Sequence, residues 1–462
     1  MSTERKEAPT LDELTALSPI DGRYGSKTKT LRPLLSEHGL IKSRVRIEVL
    51  WIQKLISKLN LVDETELELI QTKLKIIIDD FGKEAGENVK ALERSTNHDV
   101  KAVEYYLRDN FKKDRVLDQL IPYIHFGCTS EDINNLAYST MLKEARDCFI
   151  LPSLESLSNL LRLLANRFAT ISMLSRTHGQ PASPTTMGKE LANFVHRLEC
   201  QSSLLSKSQL KGKLNGAVGN YNAFQISHPK MDWPEVSSEF ILELGLEPNP
   251  YTTQIEPHDS LARFFNDLCL INSILIDLSR DIWTYISLGY FSQKRKESEV
   301  GSSTMPHKIN PIDFENAEGN LGIANSLFRH FSDKLTISRL QRDLSDSTVL
   351  RNLGVAIAHQ SLALEAIKKG LEKLDINEEL IRKDLEDCWD ILAEPIQMVM
   401  RSCGIEDAYE KLKDLSRGKA LNKEIIHKFL DASELPNDKI KLLKKLTPLT
   451  YVGLAPKLAK DI

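Results

Sequence analysis

The chain has 462 residues, of which 41% are hydrophobic and 27% charged, as in ordinary soluble globular proteins, and it is longer than one compact core usually holds. Its formal net charge of −4 excludes an overall attraction to nucleic acid or to an anionic membrane. An anionic ligand must therefore meet a local cluster of basic residues. The six cysteines are scattered without a C-x-x-C pair, which indicates reduced core residues of a cytoplasmic protein rather than disulfides or a zinc site.

The first ten residues are polar and charged, without the apolar segment of a secretory signal. No uninterrupted apolar run approaches the ~18 residues that a membrane-spanning helix needs, so we expect no membrane partner. The sequence also lacks a P-loop, an H-E-x-x-H pair, a G-x-S-x-G elbow and a G-x-G-x-x-G fingerprint. These absences weaken the nucleotide hydrolase, metalloprotease and dehydrogenase hypotheses.

Long helical patterns dominate the chain, and strand signals are nearly absent. Apolar residues recur at three- and four-residue steps over residues 41–59. The segment 258–290 is apolar nearly all round, and similar long patterns cover about 313–344 and 346–374. Another single helix face is formed by Met187, Leu191, Phe194, Val195 and Leu198. Because a helix that is apolar on most faces is buried on most sides, helices of other subunits are expected to complete the core.

We predict an all-α protein of three domains around a central bundle of long helices. Residues 1–118 alternate short loops with helical patterns and form the N-terminal helical domain. Residues 119–371 hold the long helices and form the central bundle. Residues 372–462 show shorter helices of mixed charge and form a small C-terminal helical domain.

The first polar cluster that interrupts the helices is Ser95-Thr96-Asn97-His98-Asp99. Ser95, Thr96, Asn97 or Asp99 is expected to cap the helix that follows. Since a helix N-terminus with free N–H groups also binds anions, a structural and a functional interpretation both remain open.

The second polar cluster spans residues 128–135. Thr129 or Ser130, followed by Glu131 and Asp132, predicts another helix cap. Two adjacent hydroxyl groups at a helix start suit a carboxylate or a phosphate equally well. Both interpretations stay open.

The third polar cluster spans residues 175–184 and contains His178 in an expected loop between helices. A histidine titrates near neutral pH and can donate a proton to a departing amine. The alternative is a lone surface histidine without a chemical role.

The run GSSTMPHKINP at residues 301–311 predicts a loop, because its prolines suit neither a helix interior nor a central strand. Gly301 frees the backbone, so that neighbouring N–H groups can converge on an anion. Lys308 adds a positive charge within reach. The alternative is a surface connector built from ordinary turn residues.

The last polar cluster, residues 338–351, brings Arg339, Arg342 and Arg351 close together in the sequence. Arginine forks suit carboxylate and phosphate groups. The alternative is a solvated break between two helices, with Asp343 and Asp346 compensating the charge.

The run at 301–311 resembles the signature Gly-Ser-Ser-X-Met-Pro-X-Lys-X-Asn-Pro of the fumarase/aspartase superfamily, whose members release fumarate from substituted succinates. Together with the other polar clusters, further segments extend the resemblance over nearly the whole chain. Within the superfamily the chain is similar to the bacterial type of the adenylosuccinate lyase family. The segments that carry this similarity are 18–24, 96–104, 176–181, 249–254, 313–316 and 342–351.

The resemblance implies a cytoplasmic homotetramer whose active sites are each built by three subunits, with no metal or organic cofactor. It implies two reactions of purine biosynthesis, adenylosuccinate to AMP and fumarate and SAICAR to AICAR and fumarate. The expected partners are these small molecules and further copies of the chain, without nucleic acid or membrane.

The resemblance also implies roles for individual residues. Ser302 removes the proton, His178 protonates the leaving nitrogen, and Glu315 orients His178. Lys308 and Asn310 bind the carboxylate on which negative charge develops. The phosphate and nucleotide contacts are Arg23, Tyr24, Arg342, Ser347 and Arg351. The other substrate contacts are Asn97, His98, Asp99, Thr129, Ser130 and Gln254.

Two alternatives accompany this interpretation. Another fumarate-releasing lyase, such as argininosuccinate lyase or fumarase, is disfavoured by the arginine-rich segment and the Asn-His-Asp cluster, which suit a phosphorylated substrate. A non-catalytic helical oligomer is disfavoured because Ser302, His178, Lys308 and Glu315 are all present.

Overall fold

The computed structural model of the chain describes residues 13–294, Met305, 309–416 and 421–462. Contacts divide the chain into two compact units. Unit 1 comprises the described residues up to Ser153, Gln201–Ser273 and Gly319–Ala363. Unit 2 comprises Leu154–Cys200, the described residues from Ile274 to Glu318, and the described residues from Leu364 to Ile462. The division into two units does not test the three domains expected from the sequence, which stay a prediction.

Helices make up most of the described chain and confirm the predicted all-α class. The first are α1 (Arg32–Leu35), α2 (Glu37–Leu59), α3 (Glu64–Asp79), α4 (Lys83–Thr96), α5 (Asp99–Phe111) and α6 (Ser130–Ala145). The next are α7 (Leu151–Arg167), α8 (Met187–Ser206), α9 (Asn222–Ser227), α10 (Trp233–Glu243), α11 (Asp259–Ser287) and α12 (Ile312–Leu335). The last are α13 (Ser345–Leu350), α14 (Leu353–Glu372), α15 (Glu378–Glu386), α16 (Ala393–Ser402), α17 (Ala408–Ser416), α18 (Lys423–Asp431), α19 (Asn437–Lys445) and α20 (Ala455–Lys460).

Small two-stranded sheets accompany the helices. Strands β1 (Ser172–Thr177) and β2 (Gln180–Thr186) form an antiparallel hairpin. Strand β3 (Lys211–Gly212) pairs in parallel with β4 (Glu247–Pro248), and β5 (Phe291–Gln293) pairs antiparallel with β6 (Leu374–Ile376). The sequence did not predict the hairpin, because β2 contains two prolines and neither strand shows a sustained period-two alternation.

Helix α2 begins and ends where its capping residues require. The Ser36 hydroxyl accepts a hydrogen bond from the Gly39 N–H at 3.2 Å, and Asn60 ends the helix in the left-handed region with φ 50°. The helix predicted over residues 41–59 is therefore confirmed. Its apolar face packs into an N-terminal core that includes Val45, Val49, Ile52, Ile70, Leu74, Val103, Leu107 and Phe111.

The long helix α11 confirms the segment predicted over 258–290, with a correction to its burial. Phe264, Phe265 and Leu268 are fully buried, but Trp283 is 43% exposed. An exposed stripe at three- and four-residue steps runs along Arg263, Asn266, Leu270, Ser273, Asp277 and Arg280. Within one chain α11 is thus buried on most sides but not all round. In helix α8, the predicted apolar face is confirmed, because its five residues are all buried: Met187, Leu191, Phe194, Val195 and Leu198.

The predicted helices over 313–344 and 346–374 are interrupted between Leu335 and Leu353. Here the Asp343 carboxylate accepts the Arg339 N–H at 3.0 Å, and the Asp343 N–H donates to the Ser338 hydroxyl at 3.0 Å. Leu340 takes a left-handed backbone conformation with φ 50°. Side-chain bonds to the backbone compete with helical hydrogen bonds, which explains why the helix ends earlier than the apolar pattern indicates.

One continuous helical stretch of 38 residues, Ser130–Arg167, is long and apolar enough to cross a membrane by length and composition alone. At its start Glu131 and Asp132 are buried and hydrogen-bonded within unit 1. Buried, paired carboxylates are typical of a core helix in a folded unit, and core helices pass the same test of length and composition.

The six thiols are free, as predicted. Cys269 is buried, whereas Cys148 and Cys200 are exposed. The expectation that the cysteines are core residues is therefore wrong for these two.

Candidate active site

Most of the residues expected to bind substrate lie in unit 1. Those in unit 2 are His178, Asn310 and Glu315, while Ser302 and Lys308 lie outside the described residues. The members in unit 1 are Arg23, Tyr24, Asn97, His98, Asp99, Thr129, Ser130, Gln254, Arg342, Ser347 and Arg351.

The start of α5 is capped by His98, whose Nδ1 accepts the Lys101 N–H at 3.1 Å. The expected caps at Ser95, Thr96, Asn97 or Asp99 are therefore wrong. Helix α4 continues to Thr96 and Asn97 ends it in the left-handed region with φ 51°, so only one residue remains to begin α5. Because Nδ1 accepts, a neutral His98 carries its proton on Nε2, and its side chain is 52% exposed.

Asp99 joins two arginines from distant parts of the chain. Its Oδ2 accepts Arg44 Nη2 at 2.8 Å and Arg351 Nη2 at 2.9 Å, and its Oδ1 accepts the Val100 N–H at 2.9 Å. Burial by itself raises the pKa of Asp99, but Arg44, the Val100 N–H and Arg351 together hold that pKa below its ordinary value. Asp99 is therefore ionised and fixes both guanidinium groups.

Arg351 already has both sides of its fork occupied by carboxylates. Its Nη1 donates to Glu37 Oε2 at 2.8 Å, opposite the bond from Nη2 to Asp99. The side chain is 36% exposed and lies on the wall of a cavity of about 240 Å³ that Asp21, Arg32 and Glu37 also line. An anion that binds here meets an arginine held in place before the ligand arrives.

Arg342 is the second arginine of this cluster, and it is mostly buried. Its Nη2 lies 3.0 Å from Glu131 Oε1, and its Nη1 donates to Gln254 Oε1 at 3.3 Å. Asp346 Oδ1 is 3.8 Å from Nη2. Asn134 links this group to Arg44, because it donates to Glu131 Oε1 at 2.7 Å and accepts Arg44 Nε at 2.8 Å.

These contacts form one polar network through unit 1. Several of its atoms are buried yet have no hydrogen-bond partner among the residues that the structure describes: Arg44 Nη1, Glu131 Oε2, Arg342 Nε and Asp346 Oδ2. Burying a polar atom without a partner costs about 1–3 kcal/mol, so these atoms mark places where a ligand group or water completes the bonding. Arg339, by contrast, is 83% exposed and pairs with Asp343, so it stands apart from the network.

Thr129 is the N-cap of α6 and forms a capping box with Asp132, which confirms the predicted cap. The Thr129 N–H donates to Asp132 Oδ2 at 2.7 Å. Ser130 is the first residue of α6, where backbone N–H groups are free of intrahelical partners. Ser347 lies near the start of α13 and donates its N–H to Asp346 Oδ1 at 2.7 Å.

The turn at residues 18–25 carries the two remaining contacts expected for the nucleotide. The Tyr24 N–H donates to the Pro19 carbonyl at 2.8 Å, and the Tyr24 ring packs on a small core that includes Ile20 and Leu31. Arg23 is exposed. The turn thus holds Tyr24 in place and leaves the Arg23 side chain in solvent.

His125 is a candidate that the sequence analysis missed. The ring atom Nδ1 of His125 lies 2.5 Å from Glu48 Oε1, and the backbone N–H of His125 donates to Glu48 Oε2 at 3.1 Å. Glu48 is fully buried. Burial by itself lowers the pKa of His125, but Glu48 and then Glu104 hold that pKa above its ordinary value. A signal existed in the sequence, namely a glutamate in the apolar helix predicted over 41–59, since a buried carboxylate needs a partner.

His178 stands at the tip of the hairpin between β1 and β2, not in a loop between helices as expected. His178 and Gly179 both have positive φ, 53° and 75°, and the two-residue turn is closed by the pair Thr177 and Gln180. The His178 side chain is exposed. The turn thus presents the imidazole to solvent.

Arg176 fastens this hairpin close to its tip, where it pairs with Pro181. Its Nη1 donates to the Tyr290 hydroxyl at 3.0 Å, and its Nη2 donates to Asp384 Oδ2 at 2.7 Å. The Tyr290 hydroxyl also donates to Asp384. The three side chains tie the strand that leads to His178 to helix α15.

Glu315 lies in the first turn of α12 and is exposed. It accepts the indole N–H of Trp283 at 3.2 Å. In the described chain it makes no hydrogen bond with His178, so the expected pairing of these two residues stays a prediction. Asn310 is half-buried just before α12.

A larger open groove of about 740 Å³ lies elsewhere in unit 1, lined by residues between Asp80 and Lys113. It contains none of the predicted site residues and no charge network comparable to that of Arg342 and Arg351. We therefore place the candidate site at the network and not at this groove. Among the described residues, no group of three or more His, Cys, Asp or Glu side chains is arranged to hold a metal ion.

Comparison with known proteins identifies relatives over the full length. Residues 22–324 match a family described as "Lyase", and residues 338–452 match one described as "Adenylosuccinate lyase C-terminal". The chain is 49% identical to "Adenylosuccinate lyase" of Haemophilus influenzae, over 98% of this chain and 99% of the relative. It is 49% identical to the protein of the same name in Escherichia coli (strain K12), over 96% and 98% of the two chains.

Solved structures show the same fold at lower identity. A fumarate lyase from Mesorhizobium sp. BNC1 is 20% identical with a TM-score of 0.74, covering 94% of this chain and 97% of its own. A 3-carboxy-cis,cis-muconate lactonizing enzyme from Pseudomonas putida is 19% identical with a TM-score of 0.72, covering 94% and 96%. These two likenesses concern the arrangement of helices.

Proposed function

The chain belongs to the adenylosuccinate lyase family, and we propose that it releases fumarate from adenylosuccinate, giving AMP, and from SAICAR, giving AICAR. Identity near 50% to relatives of that name over nearly the whole chain carries the proposal. The network of Arg44, Arg342 and Arg351 supports it. A substrate with two carboxylates and a phosphate needs such local cations on a chain of net charge −4.

The proposed reaction is a β-elimination that breaks a carbon–nitrogen bond. Ser302 takes the proton from the carbon beside a carboxylate, and the electron pair spreads into that carboxylate. The C–N bond then breaks as the C=C bond of fumarate forms, and His178 gives a proton to the departing nitrogen. Glu315 is assigned to orient His178, the part that a third group plays in catalytic triads.

Negative charge develops on the substrate carboxylate, and we assign its stabilisation to Lys308 and Asn310. A well-placed donor to such a charge is commonly worth about 3–4 kcal/mol. Ser302 is by itself a weak base, so a nearby cation and backbone N–H groups are needed to stabilise its ionised form.

The nucleotide half of the substrate is assigned to unit 1. Arg342, whose buried Nε has no partner in the described part of the chain, and Arg351 supply the charge, together with Arg23, Tyr24 and Ser347. The remaining substrate contacts are assigned to Asn97, His98, Asp99, Thr129, Ser130 and Gln254. The positive end of the helix dipole at the start of α6 supports anion binding beside Thr129 and Ser130.

We assign a homotetramer with active sites shared between subunits. Gly319 and Gly322 lie on an exposed face of α12, and apart from the adjoining helix backbone no heavy atom of the described residues lies within 4 Å of the place of a Cβ at either position. Such a face lets another helix approach closely. The exposed His178 at a hairpin tip also suits a site completed by another copy. The proposed location is the cytoplasm, with small molecules and no nucleic acid or membrane as partners.

A direct assay tests the proposed function. The purified protein is given adenylosuccinate, SAICAR or argininosuccinate in separate reactions, and fumarate release is followed by coupled spectrophotometry. We expect turnover of the first two and none of the third. Fumarate from argininosuccinate alone would assign the chain to another lyase of the superfamily, and no release from any substrate would leave the non-catalytic oligomer.

A further inference from the structure

A buried ion pair between Lys213 and Asp132 lies behind the polar network of unit 1. Both side chains are fully buried, and Lys213 Nζ lies 3.0 Å from Asp132 Oδ1. Neither residue belongs to the set expected to touch substrate. The pair nonetheless contacts three segments of the chain, two of which carry members of that set.

Asp132 gathers backbone N–H groups from two of these segments. Its Oδ2 accepts the Thr129 N–H at 2.7 Å and the Gly216 N–H at 3.1 Å. Its Oδ1 accepts the Asn215 N–H at 3.0 Å in addition to the ammonium of Lys213. The carboxylate therefore fixes the Thr129 backbone against the turn at residues 215–216.

Lys213 adds the third segment. Its Nζ donates to the Gly216 carbonyl at 2.9 Å and to the Gln254 carbonyl at 2.8 Å, so with Asp132 all three of its protons have acceptors. Asn135 holds the Lys213 backbone from both sides, since it accepts the Lys213 N–H at 2.8 Å and donates to the Lys213 carbonyl at 3.0 Å. These bonds fix both the backbone and the ammonium group of Lys213 in place.

The segment with Gln254 leads directly to Arg342. The Gln254 side chain accepts a hydrogen bond from Arg342 Nη1 at 3.3 Å and donates one to the Ala217 carbonyl at 3.2 Å. The backbone N–H of Gln254 donates to the Gln341 carbonyl at 3.3 Å. A shift of the Gln254 backbone therefore moves the partner of the Arg342 guanidinium. Lys213 controls that backbone through its bond to the Gln254 carbonyl.

A fully buried ion pair is a poor way to gain stability, because removing two charges from water costs several kcal/mol per ion. Apolar residues of similar volume often serve stability as well or better. The arrangement does supply directional bonds from one point to three segments. Its contribution is therefore to placement more than to the free energy of folding.

We propose that Lys213 is a positioning residue for the anionic substrate, which it serves by setting Thr129 and Gln254 relative to Arg342. The inference rests on the proposed function. Lys213 does not touch the substrate, and its ammonium acts only through the Asp132 carboxylate and the carbonyls of Gly216 and Gln254.

The test compares the single variant Lys213→Met with the double variant Lys213→Met/Asp132→Asn. The single variant leaves a buried carboxylate without its cation and is expected to lose thermal stability. The double variant removes both charges and keeps a side-chain oxygen for backbone N–H groups. Lys54→Met is the matched control, because Lys54 is also buried in unit 1 but pairs with Glu239 and Glu243, away from the network.

We expect the double variant to regain most of the lost melting temperature while KM for adenylosuccinate stays raised by about tenfold or more, the effect of one displaced hydrogen bond to a charged group. Its kcat should stay within roughly threefold, because the groups assigned to chemistry are unchanged. Lys54→Met should leave KM within about twofold. A double variant with native melting temperature and native KM would overturn the proposal.

Hydrogen exchange separates this inference from the proposed function. The amides of Asn215, Gly216 and Gln254 should exchange at least about tenfold faster in the double variant than in Lys54→Met, with or without any turnover of adenylosuccinate by the native protein. Unchanged exchange at all three amides would refute positioning even in an active enzyme. If both Lys213 variants fail to fold while Lys54→Met folds, the pair serves folding and the proposal is likewise refuted.

Discussion

Replacement of Arg351 by lysine keeps the positive charge but removes the planar fork. In the native protein the two ends of this fork reach Glu37 at 2.8 Å and Asp99 at 2.9 Å. A lysine ammonium on a flexible stem cannot hold both carboxylates in this geometry. The variant therefore tests whether a fixed, two-sided guanidinium at this position matters for the substrate phosphate.

The cost to stability should be small. The side chains of Arg351, Glu37 and Asp99 are 36%, 40% and 24% exposed, and ion pairs with that much solvent access are worth about 0–1 kcal/mol. The cost to binding should be larger, about 1.5–3 kcal/mol for a hydrogen bond to a charged phosphate. That loss corresponds to a decrease of roughly 10–150-fold in kcat/KM.

The assay compares kcat/KM for adenylosuccinate and for its dephosphorylated nucleoside on the native protein and on Arg351→Lys. Arg342→Lys is measured in the same way, because Arg342 is the other arginine assigned to the nucleotide. Arg382→Lys serves as a control, since Arg382 is 69% exposed and pairs with Glu386 one turn away. The control should match the native protein on both substrates.

The decrease should largely disappear with the dephosphorylated substrate, because neither protein then has a phosphate to hold. An equal fractional decrease on both substrates would show that Arg351 does not bind the phosphate. In that case the bonds to Glu37 and Asp99 serve only to hold the first turn of α2 and of α5 against the arginine, and the nucleotide assignment would weaken.

Three further predictions follow from the site. Ser302→Ala should abolish turnover and leave equilibrium binding of adenylosuccinate largely intact; single-turnover fumarate release within tenfold of the native rate would remove Ser302 from the part of the base. The variants His178→Ala and Ser302→Ala, each inactive alone, should recover partial activity when they are mixed and exchange subunits, as verified by mass spectrometry. A mixture that has exchanged subunits fully but stays inactive would contradict shared sites. Because Glu48 holds the pKa of His125 above its ordinary ~6.5, their ion pair stabilises the fold fully below that pH and loses its effect as pH rises through the raised pKa. The difference in melting temperature between the native protein and Glu48→Gln should therefore be largest near pH 6 and shrink toward pH 9, and a difference that grows with pH would contradict the sign of this shift.

The same contacts hold the arginines in place before substrate binds. Asp99 and Glu131 occupy Arg44, Arg351 and Arg342 before substrate arrives, so the arginines need no reorganisation of their own to meet an anion. No described residue accepts a hydrogen bond from Arg342 Nε, so this donor is left for a ligand oxygen or a water. A site prepared in this way binds with less loss of side-chain entropy.

Local patterns in the sequence determined much of this protein. The helix faces at 41–59 and 187–198 were predicted because apolar spacing along a helix is a property of residues three and four apart. The capping box at Thr129 also follows from neighbours in the chain. The polar run at 301–311 indicated the family directly, although Ser302 and Lys308 lie outside the described residues.

Tertiary structure decided what depends on distant residues. His98 caps α5 because α4 continues to Thr96, whereas the local cap preference favours Ser95, Asn97 or Asp99. The hairpin that carries His178 is held by Arg176 against Asp384, which is 208 positions away.

The arginine partners show the same limit. Glu37 is 314 positions from Arg351 and Asp99 is 252. The sequence determined that arginines cluster near residue 340 and predicted an anion as their ligand in a protein of net charge −4. Only the packing of α2, α5 and α6 against that segment decided which carboxylates hold each guanidinium, because an ion pair requires a few ångströms of separation and the chain order does not contain that distance.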